Sequence, residues 1–378
     1  MRLNKLVIIV IAIFLLVLCL SSKSNAATDI SAHFEPSFIK AVCESLDITE
    51  DNFTAEKMTE VEELYLSGMN ITGISDEIGL SSYFPNLKVL DISNNSITNL
   101  SNLPASLVEL NCSNNNISAL TPLPAGLEKL NCSYNHLTAL IDLPANLKTL
   151  ECQGNELPGL PNLPATLTVL DCSNNNLPGL PNLPANLILL DCSNNELPGL
   201  PDLPANLTSF NCSNNELPGL PNLPVNLVSL DCSNNELPAL PDLPAELLEL
   251  NISNNNLDEL PILPGSLTTL NIKGNNITTI NSNQLPGTLV EFANDLILAD
   301  DGNYYDSIEN IPTTDEEVSE EPIQENEEEA TQENKEEADL QGEKDETPKT
   351  GVVSYIGIAA LVAIGSTIAV ISLKRKNA

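Results

Sequence analysis

Apolar residues recur along this chain with a fixed period of 20. One turn, Leu187 to Leu203, sets Leu187, Leu190, Cys192, Leu197, Leu200 and Leu203 at apolar positions and Asn195 at a fixed polar one. Aligned copies read L-x-x-L-x-C-x-x-N-x-L-x-x-L-P-x-L-P, in ten units that begin at Leu87, Leu107 and so on to Leu267 and end at Ile280. An irregular unit precedes them at Val61 and a partial one follows at Leu289. A period of this size predicts a solenoid, in which each unit buries its apolar face only against its neighbours. Alternation in segments such as Leu190 to Cys192 predicts one short parallel strand per unit, with Leu190 and Cys192 inward and Asp191 and Ser193 outward. The connections "LPGLPNLP", at Leu157–Pro164, Leu177–Pro184 and Leu217–Pro224, leave too few residues for a useful helix. Their prolines predict an extended, polyproline-like return path. The asparagines from Asn95, Asn115 and Asn135 through Asn275 stand just past each strand and are expected to bond the backbone of adjacent turns.

An open stack needs covered ends. In Glu35–Leu46, "EPSFIKAVCESL", the residues Phe38, Ile39, Val42 and Leu46 fall at helical spacing and predict a short cap helix. After Leu289 the sequence "LVEFANDLILADDGNYY" drifts out of frame, which predicts a second cap.

The repeated anchors resemble the leucine-rich repeat, and the 20-residue unit with LPxLP connections is similar to the short bacterial type known from secreted effectors and surface proteins. The segment up to Ile71–Ile74, "ITGI", resembles the amino-terminal region of clostridial and internalin-like surface proteins. The resemblance implies an α/β-type repeat solenoid: a horseshoe with short parallel strands on the concave face, extended convex segments and a small amino-terminal helical cap. It also implies recognition of a protein partner.

The ends change the picture from a fold to an exported protein. Arg2 and Lys5 precede the apolar run Leu6–Leu20 and the small residues "SNAA", as in a secretory signal cleaved after Ala26. At the other end stand "TPKTG", an apolar run Val352–Leu373 long enough to span a bilayer, and the basic tail Lys374–Lys376. This trio resembles the LPXTG-like sorting signal of Gram-positive surface proteins, with Thr347, Pro348 and Lys349 leading to a cleavage between Thr350 and Gly351. Thr347 stands where the commonest form has Leu. The resemblance implies sortase and peptidoglycan as partners, with the membrane engaged only through the carboxy-terminal helix before sorting; a plain single-pass membrane anchor is the alternative. Acidic runs such as "ENEEEATQENKEEAD" predict a disordered stalk. The expected division is a signal over 1–26, a cap over 27–60, the solenoid over 61–300, the stalk over 301–346 and the sorting signal over 347–378.

Charge then excludes some functions. The net charge is -37, with 15 Lys and Arg against 52 Asp and Glu, and no Arg lies between Arg2 and Arg375. Clustered cations for phosphate are missing, so nucleic acid is not an expected partner. No nucleophile, base and orienter can be assembled near His33 or His136, and neither catalysis nor a cofactor is expected. Cysteine recurs from Cys112 to Cys232 in a slot that holds Ile92, Ile252 and Ile272 in flanking units, so it reads as a buried core position. Disulfides and metal or redox chemistry are the competing readings. The recurring Asp171, Asp191 and Asp231 read as a hydrated face. Distinctive side chains cluster early, at Tyr65, Lys88, Lys129, Tyr134, His136 and Lys148, and these are the candidate partner contacts. The rival to adhesion is a coat or spacer without a specific ligand, which the near-identical central units favour.

Overall fold

The computed structural model describes residues 29–75, 79–120 and 122–312. The signal, residues 313–346 of the expected stalk and the sorting signal with Thr350 and Gly351 lie outside the described residues, whereas 301–312 lie inside them and include a strand. The chain divides into two units, Met1–Thr314 and Asp315–Ala378, and every described residue belongs to the first.

That unit opens with the helix α1, Pro36–Leu46, followed by the short α2, Ala55–Met58, and α3, Gly79–Tyr83. The strands are β1 Glu63–Tyr65, β2 Val89–Asp91, β3 Glu109–Asn111, β4 Lys129–Asn131, β5 Thr149–Glu151, β6 Val169–Asp171, β7 Leu189–Asp191 and β8 Ser209–Asn211. They continue as β9 Ser229–Asp231, β10 Glu249–Asn251, β11 Thr269–Asn271, β12 Thr279–Ile280, β13 Glu291–Ala293, β14 Ile297–Leu298 and β15 Tyr304–Tyr305. Strands β1 to β11 and β13 form one sheet of 12 in chain order. All pairs in it are parallel and in register, as in Leu170↔Leu190 and Leu190↔Phe210. No α-helix is present among the described residues after Tyr83. This is the leucine-rich horseshoe, with the sheet on its concave face and extended segments returning behind it.

Each turn supplies the same core. Leu187, Leu190, Cys192 and Leu197 are fully buried, and Leu200 and Leu203 pack half-buried against them. Each fully buried Leu is worth about 1.5–3 kcal/mol of transfer free energy. The asparagine after the strand closes the turn. Asn175 Nδ2 donates to the carbonyls of Cys152 and Cys172 at 3.1 Å and of Ser173 at 3.0 Å, while its Oδ1 accepts from Leu157 N at 3.1 Å. One side chain thus satisfies four backbone groups that a sharp buried turn leaves without partners. The residue just before it adopts positive φ, from 53° to 57° in the Asn residues from Asn94 to Asn254, with Gly154 and Gly274 at 66° and Tyr134 at 52°. Asparagine tolerates that left-handed geometry better than other non-glycine residues, which accounts for the first Asn of "SNN".

Two expectations need correction. Ser193 does not point to solvent: it is 4% exposed, and its hydroxyl donates to Asp191 Oδ1 at 2.7 Å. The turn curls immediately after Cys192, so strict alternation ends there. The carboxylates are also less hydrated than expected, since Asp171 is 7% exposed and Asp191 only half-exposed at most.

The ends are capped as the pattern suggests. Phe38, Ile39 and Val42 of α1 are buried, and Phe34, Phe38, Phe53 and Phe84 pack ring against ring. At the far end β12, β15 and β14 form a small antiparallel sheet, and Tyr304 meets Phe292 of the last parallel strand edge to face.

Candidate functional site

A three-residue strand offers little surface, so the sheet face reduces to a few columns that run from turn to turn. The first column consists of the residues just before the strands. Its backbone is continuous, each N–H donating to the carbonyl one turn earlier, as in Ile188 N to Thr168 O at 2.8 Å and Thr208 N to Ile188 O at 2.9 Å. In chain order it reads Glu62, Lys88, Val108, Glu128, Lys148, Thr168, Ile188, Thr208, Val228, Leu248, Thr268, Val290. The second column, the first strand residue, reads Glu63, Val89, Glu109, Lys129, Thr149, Val169, Leu189, Ser209, Ser229, Glu249, Thr269, Glu291. The third, the last strand residue, is made of Asp, Asn and Glu from Asp91 to Asn271.

The early half of this face is charged and self-paired. Lys88 Nζ lies 2.8 Å from Glu62, Lys129 Nζ 2.7 Å from Glu109 and Lys148 Nζ 2.7 Å from Glu128. Each pair links adjacent turns. From the sixth strand onward the first two columns carry no charge until Glu249.

The six candidate contacts are therefore not one patch. Tyr65 and Lys129 sit on strands, Lys88 and Lys148 in the column before them, and Tyr134 and His136 on the turns that follow. The three lysines are committed to ion pairs, and His136 Nδ1 faces Glu156 at 3.5 Å. The Tyr65 hydroxyl donates to Glu63 at 3.1 Å. Tyr134 and Tyr65 keep about half of their surface exposed, at 52% and 45%. Tyr134 occupies the left-handed slot otherwise filled by Asn or Gly, and its ring lies over Gly154, where a Cβ would come within 2.5 Å of the ring.

The third column is a hydrogen-bond ladder. Asn211 Nδ2 donates to Asp191 Oδ2 and Asn251 Nδ2 to Asp231 Oδ2, both at 3.0 Å, and Asn131 Nδ2 to Glu151 Oε2 at 2.6 Å. Amides and acids are interspersed along it, and Glu151, Asp171 and Asp191 are its one run of consecutive acids. Asp171 lies between two other acids and receives only Ser173, through its hydroxyl at 2.8 Å and its N–H at 3.1 Å, both on Oδ1. Burial, and then the Asp191 charge, push its carboxyl up to about 7, and burial raises Glu151 and Asp191 as well. Sequence reading missed this triple because the letters D and E give no hint of missing amides; the signal was three acids in successive units with no Asn between them.

The seven repeat cysteines are free thiols with no exposed surface. Burial pushes the Cys112 thiol up to about 12 and the others upward too, so the nucleophilic thiolate is suppressed. Among the described residues no group of three or more His, Cys, Asp or Glu is placed to hold a metal ion, and no helix is long and apolar enough to cross a membrane.

Comparison with known proteins agrees with this architecture. A model described as leucine-rich repeats in two copies matches residues 59–105, and a single leucine-rich repeat model matches residues 166–187. YopM, a leucine-rich effector protein from Yersinia pestis, is 34% identical, with 71% of this chain and 75% of that chain covered and a TM-score of 0.59. The functional domain of InlJ from Listeria monocytogenes, which includes a cysteine ladder, is 26% identical over 71% of this chain and 61% of that one, with a TM-score of 0.63. YopM from Yersinia enterocolitica is 34% identical over 57% of this chain and 61% of that one, at a TM-score of 0.41. The chain thus spans less than two thirds of the length of two of these three relatives. No curated protein matches it. This chain belongs to the leucine-rich repeat family.

Proposed function

We propose that this protein is a non-catalytic surface protein whose repeat domain binds a protein partner through the sheet face. The observation that supports this most is the continuous face of 12 parallel strands, whose outward columns differ along the chain while the inward ones stay constant. A reactive centre finds no support there: the thiols are buried and the turn amides are consumed by the backbone. Tyr65, Lys88, Lys129, Tyr134, His136 and Lys148, spread over the strands and turns of the early end, are proposed as its contacts. By resemblance of the ends, the mature chain would be carried outside on the acidic stalk and joined by a sortase to peptidoglycan at Thr350. InlJ and YopM, as bacterial leucine-rich proteins, are consistent with a surface or secreted setting.

The near-identical central turns favour a second reading, a coat or spacer without a specific ligand. The two are separated by immobilising the full chain and measuring saturable binding of proteins from host and bacterial surface extracts. A Lys129→Ala, Tyr134→Ala pair and a Ser209→Arg, Ser229→Arg pair test the two ends of the face. Loss of saturable binding in either pair supports face recognition. Absence of saturable binding to the unaltered chain would establish the spacer.

A further inference from the structure

The sheet face changes character at the sixth strand. From Thr168 through Ile188, Thr208 and Val228 to Leu248 the first column is a run of β-branched or aliphatic side chains, beside Val169, Leu189, Ser209 and Ser229 in the second. Ile188, Val228 and Leu248 are 45%, 37% and 40% exposed. The threonine hydroxyls do not make this strip polar. Thr168 Oγ1 donates to Lys148 O at 3.0 Å and Thr208 Oγ1 to Ile188 O at 3.2 Å, which leaves each side chain its γ-methyl to present. A groove of about 540 Å³ follows the start of the strip, lined by Lys148, Thr168, Ile188 and Thr208 with Thr166, Asn186 and Asn206 along its other side. Those flanking polar groups are also turned inward: Asn186 Nδ2 donates to Ala165 O at 2.9 Å and Asn206 Nδ2 to Ala185 O at 3.0 Å.

Along the opposite margin run Glu151, Asp191 and Asp231, with Asp171 buried among them, and no lysine or arginine lies between residues 149 and 272. Resting on the reading of this face as a protein-binding surface, we propose that the strip from Thr168 to Leu248 is the docking site for a cationic amphipathic helix of a partner protein, its aliphatic side chains on the strip and its lysines or arginines over the acidic column. Charge selects the partner: an acidic margin without counter-cations repels anionic segments and steers cationic ones. Spacing selects the helix. Strands stack about 4.8 Å apart, and a helix rises about 5.4 Å per turn, so a helix laid across the strands meets one strand per turn and drifts by only about half a spacing in four turns. An extended segment repeats its same-face side chains every 6.6–6.8 Å or so and falls out of step after two strands.

The test uses the full chain and two synthetic peptides of identical leucine and lysine content, one with leucines at helical spacing and one strictly alternating, each carrying a photo-crosslinker. The helical peptide is expected to crosslink within 168–248, and Ile188→Asn, Val228→Asn, Leu248→Asn together to reduce its affinity by roughly tenfold or more. Asp191→Asn with Asp231→Asn should weaken it at low salt, by a factor that shrinks as salt is raised; asparagine already occupies the neighbouring positions Asn211 and Asn251 of that column. Crosslinks confined to the acidic segment after residue 312 or to the turns before 148, equal binding by the alternating peptide, or an unaffected triple variant would each overturn the proposal. Such a failure leaves saturable binding of an extract protein elsewhere on the face intact, so the broader reading is judged by its own experiment.

Discussion

The two halves of the sheet are alike inside and unlike outside. Turns around β3 and β7 share the inward Leu, Cys and Asn skeleton, as Leu110, Cys112 and Asn115 match Leu190, Cys192 and the half-buried Asn195. Outside, the early half ties turn to turn through Lys–Glu pairs, whereas the later half leaves a band of Thr, Val, Ile, Leu and Ser without charge. In a solenoid the inward positions are constrained by both neighbours, but an outward residue answers only to solvent and to whatever docks. Divergence of the outer columns over a constant interior is the pattern of a scaffold on which surface chemistry is free to change.

The interior half of that comparison is tested most severely by the turn asparagines. Asn115 Nδ2 donates to Ile92, Cys112 and Ser113 carbonyls at 3.0, 3.1 and 3.2 Å, and its Oδ1 accepts from Ile97 N at 3.0 Å, the same four bonds as at Asn175. Asn115→Ala and Asn175→Ala each strand buried backbone groups, and each is expected to cost about 3–5 kcal/mol in denaturant unfolding. Costs that differ between the halves by more than about 1 kcal/mol would break the claim of a common interior.

At the junction of the halves stands Asp171. Its carboxyl is pushed up to about 7 in the fold, against an ordinary value of 3.8. The native state therefore holds a proton that the unfolded chain releases, and stability falls as pH climbs from about 4 to about 7, then levels off. Asp171→Asn removes that penalty while keeping an acceptor for Ser173. It should stabilise the fold by about 2–4 kcal/mol at pH 8 and leave stability at pH 4 nearly unchanged, as followed by urea midpoints at both values. An equal effect at both pH values would show that the carboxylate is not the cause.

Gly154 and Tyr134 mark where the early half departs from the consensus turn. Gly154 has φ of 66° with the Tyr134 ring over it. Gly154→Ala adds left-handed strain and a clash, about 1–3 kcal/mol by thermal unfolding, and Tyr134→Asn in the same chain should recover the part due to the ring. Gly159, with open space where a Cβ would project, is the neutral control. Failure of Tyr134→Asn to recover stability would mean that the ring moves aside freely.

Much of this was legible in the letters. The period dictated the solenoid, the shared Cys and Ile slot placed sulfur in the core, and Phe38, Ile39 and Val42 announced the cap helix. What escaped was everything that depends on which residues become neighbours 20 positions apart. Lys88, Lys129 and Lys148 looked like free anchors because their Glu62, Glu109 and Glu128 partners lie a turn or more back in sequence. Ser193 looked exposed because period-two alternation was carried one residue past the strand. The uncharged strip went unnoticed because Thr168, Ile188, Thr208, Val228 and Leu248 are unremarkable singly and form a surface only when stacked.

The smallest effect sharpens the outer half of the comparison. Lys129 and Glu109 sit 2.7 Å apart with side chains 51% and 30% exposed. A pair this open gains little beyond the cost of fixing two long side chains, so Lys129→Ala should lower stability by no more than about 0.5 kcal/mol, and less in high salt. Building the reverse pair in the later half, Ser229→Lys opposite Glu249 with which it is in register, should change stability just as little. If both hold, the charges of one half and their absence in the other are nearly neutral for folding, and the difference must be read through what each half contacts. A loss above about 1 kcal/mol for Lys129→Ala would instead make the Lys–Glu pairs part of the architecture, and the contrast between the halves would then be one of stability.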